Sequence, residues 1–237
     1  KPTMGLSRFQ WDLRYEDKSP IDLSSSSFYN PFSGVSEGTL VNPGTYSIDM
    51  SILKSGEATK LVDSQTFNII ALNNTIMPAD NRKAKVEFQR KVSLLQGEIS
   101  EYSKKLSEIS NKIPYIDQAI KRAEEPIGDL SRLFWNLKED IKTINLKFYG
   151  DNVKRKLDIQ QYLTPSSRLG AIAYYQKYST AAPTKTHMDN YYIAKDEFEP
   201  IKLLINDLKI KMLDLENSLK DLGAPYTPGR PKARVNF

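Results

Sequence analysis

The sequence contains no cysteine, which excludes disulfide bonds, thiolate metal sites and a cysteine nucleophile. It has one histidine, His187, and only 11 glycines among its 237 residues. No phosphate-binding glycine loop, serine-nucleophile motif, paired-histidine zinc motif or calcium-binding loop occurs in it. The sequence therefore predicts no catalytic residue, no cofactor and no metal site.

Long hydrophobic runs are also lacking, since no stretch approaches the roughly 18 apolar residues of a membrane-spanning helix. The opening KPTMGLSRF shows no apolar signal-peptide core, and Lys1 in place of methionine indicates a piece of a longer protein. The net charge of +5 is small, and basic residues are interleaved with acidic ones. Such mixing is typical of solvated helix faces, so we expect no membrane span and no nucleic-acid partner.

Three regions differ in their side-chain patterns. Residues 1–76 contain alternating apolar and polar stretches, residues 77–224 repeat apolar side chains at helical spacing, and residues 225–237 form a Pro-rich basic tail. This order predicts an α+β, mostly α protein, in which a partial antiparallel β-sandwich precedes an elongated antiparallel helical bundle.

Three strands are predicted in the first region. They cover residues 6–15, 45–53 and 64–72, with Pro43-Gly44 opening the second strand and Gly56 separating it from the third. Since a complete sandwich needs about seven strands, either the sheet is small or, as we favour, its first strands lie upstream of Lys1. The side chains predicted to form the sandwich core are Phe9, Trp11, Leu13, Tyr46, Ile48, Met50 and Phe67.

The helical region begins with a heptad seam, a row of apolar residues that recur every three or four positions over residues 88–113. Pro114 should end or kink this helix, because proline lacks an amide N–H and clashes with the preceding turn. The apolar spacing resumes over residues 116–148, with Pro126 as a further break or helix start and Gly150 as the stop.

Two more helices are predicted, over residues 165–179 and 185–222. Pro200 should kink the second of them, and Gly223 followed by Pro225 should end it. Because the chain contains enough helices to bury their apolar sides against each other, we favour a bundle within one molecule over a dimeric coiled coil.

Short motifs in both regions resemble those of a known family. The motifs are WDLR at 11–14, PGTY at 43–46, Phe67-x-Ile69 and the bundle ending LKDLGAPYTPG. Together they resemble the C-terminal region of large exported Bacteroidetes proteins that are built on sortilin-like, BNR-repeat β-propellers and are often labelled glycosyl hydrolases. The resemblance implies that the strands belong to an immunoglobulin-like (Ig-like) module after the propeller, and that a helical bundle with an Ala182-Pro183-Thr184 turn follows.

The resemblance also implies an exported location, which is periplasmic, outer-membrane-associated or secreted, and an upstream β-propeller of the same polypeptide as partner. It transfers no catalytic residue, because the propeller is not in this chain. We therefore predict a noncatalytic accessory region that acts as a spacer or docking module. The alternative is part of a glycan-processing enzyme whose catalytic residues lie upstream in the propeller.

Three polar groups are candidates for chemistry, and each has a simpler interpretation. His187 with nearby aspartates would suit a metal, but a surface or helix-capping histidine is favoured. Asp196, Glu197 and Glu199 lie one to three positions apart on a helix, which favours a solvated face over a glycosidase pair. The basic run at residues 154–156 is flanked by aspartates, which favours a polar loop over a site for phosphate or anionic lipid.

Five tyrosines form the candidate interaction surface. Tyrosines of a helical bundle mostly lie at the edge of the core, with their hydroxyl groups in water. Their clustering on two helices also suits a patch that binds a protein or a glycan. The five residues are Tyr174, Tyr175, Tyr178, Tyr191 and Tyr192.

Overall fold

The computed structural model describes residues 5–6, 8–21, 38–72, 76–77, 79, 81–123 and 128–229. In these residues a two-stranded sheet precedes the helices, so the protein is an α+β, mostly α fold, as predicted. The elements are β1 Gly44–Lys54, β2 Glu57–Ile69, α1 Arg82–Lys121, α2 Leu130–Tyr149, α3 Asn152–Lys156, α4 Pro165–Tyr178 and α5 Lys185–Asp221.

The helix ends follow from local side-chain chemistry. Asn81, Thr164 and Thr184 precede α1, α4 and α5, and each side-chain oxygen accepts a hydrogen bond from a backbone N–H three residues later, at 2.9, 3.3 and 3.2 Å. Gly150 and Gly223, with φ of +77° and +67°, follow α2 and α5, as predicted.

The helices form a bundle around α5, which contacts α1, α2 and α4. The heptad seam predicted for α1 is buried, and Tyr102 and Ile113 of that seam are partly buried. Burial of these apolar sides within one chain confirms the predicted intramolecular bundle. The buried residues are Phe88, Val92, Leu95, Ile99, Leu106 and Ile109 in the α1 seam, and Ala194, Phe198, Ile201, Ile205, Leu208, Met212, Leu215 and Leu219 in α5.

Side-chain contacts define the directions of the helices. α1 and α5 run parallel, since Glu98 pairs with Lys202 at 2.6 Å and Lys112 pairs with Glu216 at 2.9 Å further along both helices. Among the helices that the structure describes, none has the length and apolar character needed to cross a bilayer.

α2 and α4 form one rod that comes between α1 and α5 in chain order and runs antiparallel to both. Tyr149 at the end of α2 hydrogen-bonds Ser103 in the middle of α1 at 2.7 Å, whereas the Gln176 carbonyl in α4 accepts from Gln89 near the start of α1 at 3.1 Å. The bundle is therefore up-down-up, and successive rods are antiparallel, as predicted. The basic run forms the short helix α3 in the interruption of this rod, so its prediction as a loop was wrong.

Both interior prolines are accommodated in continuous helices. Pro114 was predicted to end or kink α1; the helix passes through Pro114 to Lys121, so the first of these alternatives was wrong. An interior proline costs about 3 kcal/mol, but Ile109 and Ile116 on either side of it are buried in the core. α5 likewise passes through Pro200. Pro126 lies outside the described residues.

The two strands form an antiparallel hairpin around a turn at Ser55 and Gly56, which have φ of +52° and +87°. β1 begins at Gly44, directly after Pro43, as the sequence predicts. β2 begins at Glu57, seven residues earlier than the predicted start at 64, and the pairing contains two irregularities beside Met50.

The strand predicted at residues 6–15 was wrong for the residues that the structure describes. This stretch makes a single isolated bridge, between Arg14 and Leu40. The Asp12 carboxylate accepts a hydrogen bond from the Arg14 amide at 3.1 Å, and Leu13 adopts a φ of +61°. A local turn of this kind competes with sheet pairing, so it overrides the alternation of apolar side chains.

The predicted sandwich core does not form in the described residues. Phe9 is 80% exposed and Ile48 is 60% exposed, and Leu13 and Met50 are also exposed. Trp11 makes edge contacts with the rings of Tyr46 and Phe67, at centroid distances of 5.8 and 6.2 Å. A single two-stranded layer has no second sheet to pack against, so these contacts form only a small cluster at the base of the hairpin.

The N-terminal segment, residues 8–21, crosses α1 at Gly97. A Cβ atom there would lie closer to the Lys18 carbonyl oxygen than van der Waals contact, so glycine permits the close approach. The Arg90 guanidinium lies 4.4 Å from the centroid of the Tyr15 ring. The Tyr15 amide in turn donates to the Thr39 carbonyl at 2.9 Å, which connects the crossing to the base of the hairpin.

Leu208→Ala should destabilise the protein by roughly 2–5 kcal/mol, because it leaves a cavity between α5 and its neighbours. Leu203→Ala, on the same helix but at a site that is 70% exposed, should change the unfolding free energy by less than about 0.5 kcal/mol. Urea unfolding followed by circular dichroism measures both. Equal costs for the two substitutions would contradict the burial of the α5 side.

Gly97→Ala should separate the N-terminal segment from α1, because the new methyl group would clash with the Lys18 carbonyl oxygen. The amides of Tyr15 and Val41, which are hydrogen-bonded at this crossing, should lose protection against hydrogen exchange. Gly170→Ala in α4 is the matched control, since a methyl group added there would have no atom within 4 Å. Unchanged protection in the Gly97 variant would contradict the contact.

Candidate functional site

Three of the five candidate tyrosines form one exposed group on α4. The ring centroid of Tyr174 lies 5.6 Å from that of Tyr175 and 5.2 Å from that of Tyr178. The His187 ring from α5 extends the group, since it is nearly parallel to the Tyr175 ring at 6.5 Å. This group is called the α4 tyrosine cluster.

The other two candidate tyrosines lie apart from that cluster on α5. Tyr191 packs edge-on against Phe88 at 5.8 Å, and burial is the main reason why the pKa of its hydroxyl is raised. Tyr192 is exposed and contacts Tyr191 at 5.4 Å. Among the ring contacts of the described residues, none joins this pair to the α4 tyrosine cluster. The structure therefore divides the predicted surface into two groups.

His187 has a structural role at the start of α5. Its amide donates to the capping hydroxyl of Thr184, and its Nδ1 atom lies 3.0 Å from Nε2 of the buried Gln176. It is thus a histidine of the helix-capping turn, in keeping with the interpretation that the sequence favours.

The acidic candidates do not converge. Glu197 pairs with Arg168 at 3.4 Å and Glu199 pairs with Lys202 at 3.2 Å, and these acids are exposed, as is Asp196. Within the described part of the chain, no three histidine, aspartate or glutamate side chains form a group that would hold a metal ion.

One buried acid, Glu216, was not among the candidates predicted from the sequence and is only 2% exposed. Nζ of Lys112 donates to both of its carboxylate oxygens, at 2.9 and 3.2 Å. The first residues of the predicted tail lie over this pair: Thr227 is buried, and Gly229 lies beside the Lys112 side chain. The available signal was an acid among the buried positions of α5, because Glu216 lies between Met212 and Leu219 in the sequence.

One face of the hairpin is apolar and exposed. The strand register places Tyr46 opposite Phe67 and Met50 opposite Val62, so these side chains lie on the same face. The other face carries polar side chains, including Asp49, whose carboxylate accepts a hydrogen bond from the Ser64 hydroxyl. The residues of the hairpin's apolar face are Tyr46, Ile48, Met50, Ile52, Val62 and Phe67.

A cavity of about 690 Å³ lies between the base of the hairpin and the bundle. Its floor is formed by the first half of α1 and the second half of α4, and the segments at 38–43 and 69–72 form its other walls. Two buried acceptor oxygens of lining residues, Asn42 Oδ1 and Gln176 Oε1, have no hydrogen-bond partner among the described residues. This cavity is called the hairpin–bundle cavity.

No protein-family model, no curated protein and no solved structure matches this chain.

Lys112→Met should destabilise the bundle by about 2 kcal/mol or more, because it leaves the Glu216 carboxylate buried without its partner. The double variant Lys112→Met, Glu216→Met should recover most of this loss. Lys105→Met is the control, since its pair with Glu101 is a surface pair worth less than about 1 kcal/mol. Urea unfolding measures all three, and a double variant less stable than the single one would contradict the assignment.

Proposed function

We propose that this chain is a noncatalytic accessory region of a larger exported β-propeller protein, in which it acts as a docking module and spacer. The hairpin's apolar face carries the proposal, because it presents six apolar or aromatic side chains with little cover from the rest of the described chain. Its mechanism is surface complementarity, without making or breaking bonds.

An uncovered hairpin face is unfavourable in water. A two-stranded hairpin is only marginally stable by itself, and full burial of one large apolar side chain contributes roughly 1.5–3 kcal/mol. Trp11 covers the face only at Tyr46 and Phe67, whereas Ile48, Met50 and Val62 remain half exposed or more. Contact with a second sheet would bury these side chains.

The occupant that we propose is a β-sheet of the same polypeptide, which completes an Ig-like module. Among the described residues, β1 and β2 pair only with each other, so the outer backbone groups of both strands are open to further strands. Two of the motifs that carry the family resemblance meet here, since Trp11 of WDLR contacts Tyr46 of PGTY at 5.8 Å. The propeller of the resembled family would lie beyond this sheet.

The bundle suits the role of a spacer. α1 has 40 residues, which corresponds to a length of about 60 Å at the rise of an α-helix. The bundle buries its own apolar core, and its surface carries ion pairs such as Lys211 with Asp140 at 2.7 Å. A rod of this kind holds the hairpin at a defined distance from whatever lies at its far end.

Hydrogen exchange of the complete polypeptide that contains this chain tests the proposal. The amides of β1 and β2 should exchange much more slowly there than in the isolated chain, because a covered hairpin opens less often. Met50→Lys on the apolar face should remove this additional protection. Leu53→Lys is the matched control, because Leu53 lies on the opposite face and is 74% exposed.

Equal exchange of the hairpin in the two polypeptides would contradict the docking role. So would equal effects of the Met50 and Leu53 variants. A complete polypeptide without a β-propeller would refute the family assignment but leave the docking measurement valid.

A further inference from the structure

We propose that the hairpin–bundle cavity binds an organic anion with an apolar body, whose charged group lies at Lys85. The cavity volume of about 690 Å³ falls within the roughly 300–1,000 Å³ that is usual for small-molecule sites. This site is distinct from the hairpin's apolar face, and the inference does not depend on the function proposed above.

The charge of the cavity wall is the first argument. Four basic residues line the cavity, and none of its described lining residues is an aspartate or glutamate. Arg14 has a carboxylate within 3.9 Å, that of Asp12, which offsets its charge. Lys85 and Lys177 supply positive charge toward α4, so this side of the cavity favours a negatively charged group.

The positive charge of Lys85 is poorly neutralised by the surrounding protein. Its ammonium group is partly buried and donates to the Ser179 carbonyl, which is a dipole and does not neutralise the charge. Burial, and secondly the nearby charge of Arg82, lower the pKa of Lys85. A buried cation is stabilised by a charged partner, and a carboxylate or sulfonate would supply it.

The apolar lining of the cavity is the second argument. Val86, Val92 and Ile172 are among its apolar lining residues, and they would contact the body of the ligand. The oxygens of Asn42 and Gln176 described above are hydrogen-bond acceptors, so bound water would satisfy them and they do not themselves favour an anion.

A simpler interpretation is that Lys85 only closes the C-terminal end of α4, where a lysine favourably contacts free carbonyl groups. That role requires neither the surrounding apolar cavity nor the lack of acids on its described walls. The two interpretations differ in one measurable respect, since only the ligand site predicts that an anion binds more tightly than its neutral analogue.

Titration calorimetry of the whole chain with sodium decanoate and with decanol, below their aggregation limits, tests the proposal. Decanoate should bind at least about tenfold more tightly than decanol, as a charge-assisted hydrogen bond requires. Lys85→Met should abolish this difference, and Lys85→Arg should retain it. Lys91→Met, an exposed lysine of the same helix outside the cavity, is the matched control and should leave both affinities unchanged.

Equal affinities for decanoate and decanol, or no binding of either, would overturn the proposal. Equal losses in the Lys85→Met and Lys91→Met variants would also overturn it, because they would show a nonspecific charge effect. Amide chemical shifts locate the bound decanoate: changes at Val86, Val92 and Ile172 support the cavity, and changes confined to the hairpin's apolar face contradict it.

Discussion

Burial of the apolar side of α5 is the interaction on which the rest of the structure depends. α1 and α2 contact each other much less than either contacts α5, so the bundle is held together largely through this helix. Each large apolar side chain that α5 buries contributes roughly 1.5–3 kcal/mol. The sum over its seven large buried side chains exceeds the cost of an interior proline, which explains why α1 and α5 continue through Pro114 and Pro200.

The helices could be predicted because their signal is local and repeated. Apolar spacing over many turns determines which side of a helix is buried. The capping threonines determine where α4 and α5 begin, and glycines determine where α2 and α5 end. The alternation of apolar and polar side chains in residues 6–15 is equally regular, but it covers too few residues to outweigh local hydrogen bonding. One hydrogen bond from the Arg14 amide to the Asp12 carboxylate and one left-handed residue, Leu13, were enough to replace the strand by a turn.

The candidate sites depend on contacts between distant parts of the chain, and the sequence does not encode these as a short pattern. Lys112 and Glu216 meet because α1 and α5 run parallel. Lys85 reaches the Ser179 carbonyl because α4 ends beside the start of α1. The tyrosines illustrate the same limit, since Tyr174 and Tyr178 contact each other on α4, whereas Tyr191 on α5 packs against the distant Phe88 of α1.

The two regions of the chain have opposite requirements for contact. The bundle buries its core side chains and the Glu216 carboxylate internally, so that core needs no partner. Among the described residues, the hairpin has an apolar face covered in part by Trp11 and strands that pair only with each other, so further burial there would be favourable. The crossing of the N-terminal segment at Gly97 couples the two, because it fixes the base of the hairpin to α1. A contact made by the hairpin would thereby be transmitted to a long rod, which is the physical basis for the docking and spacing role that we propose.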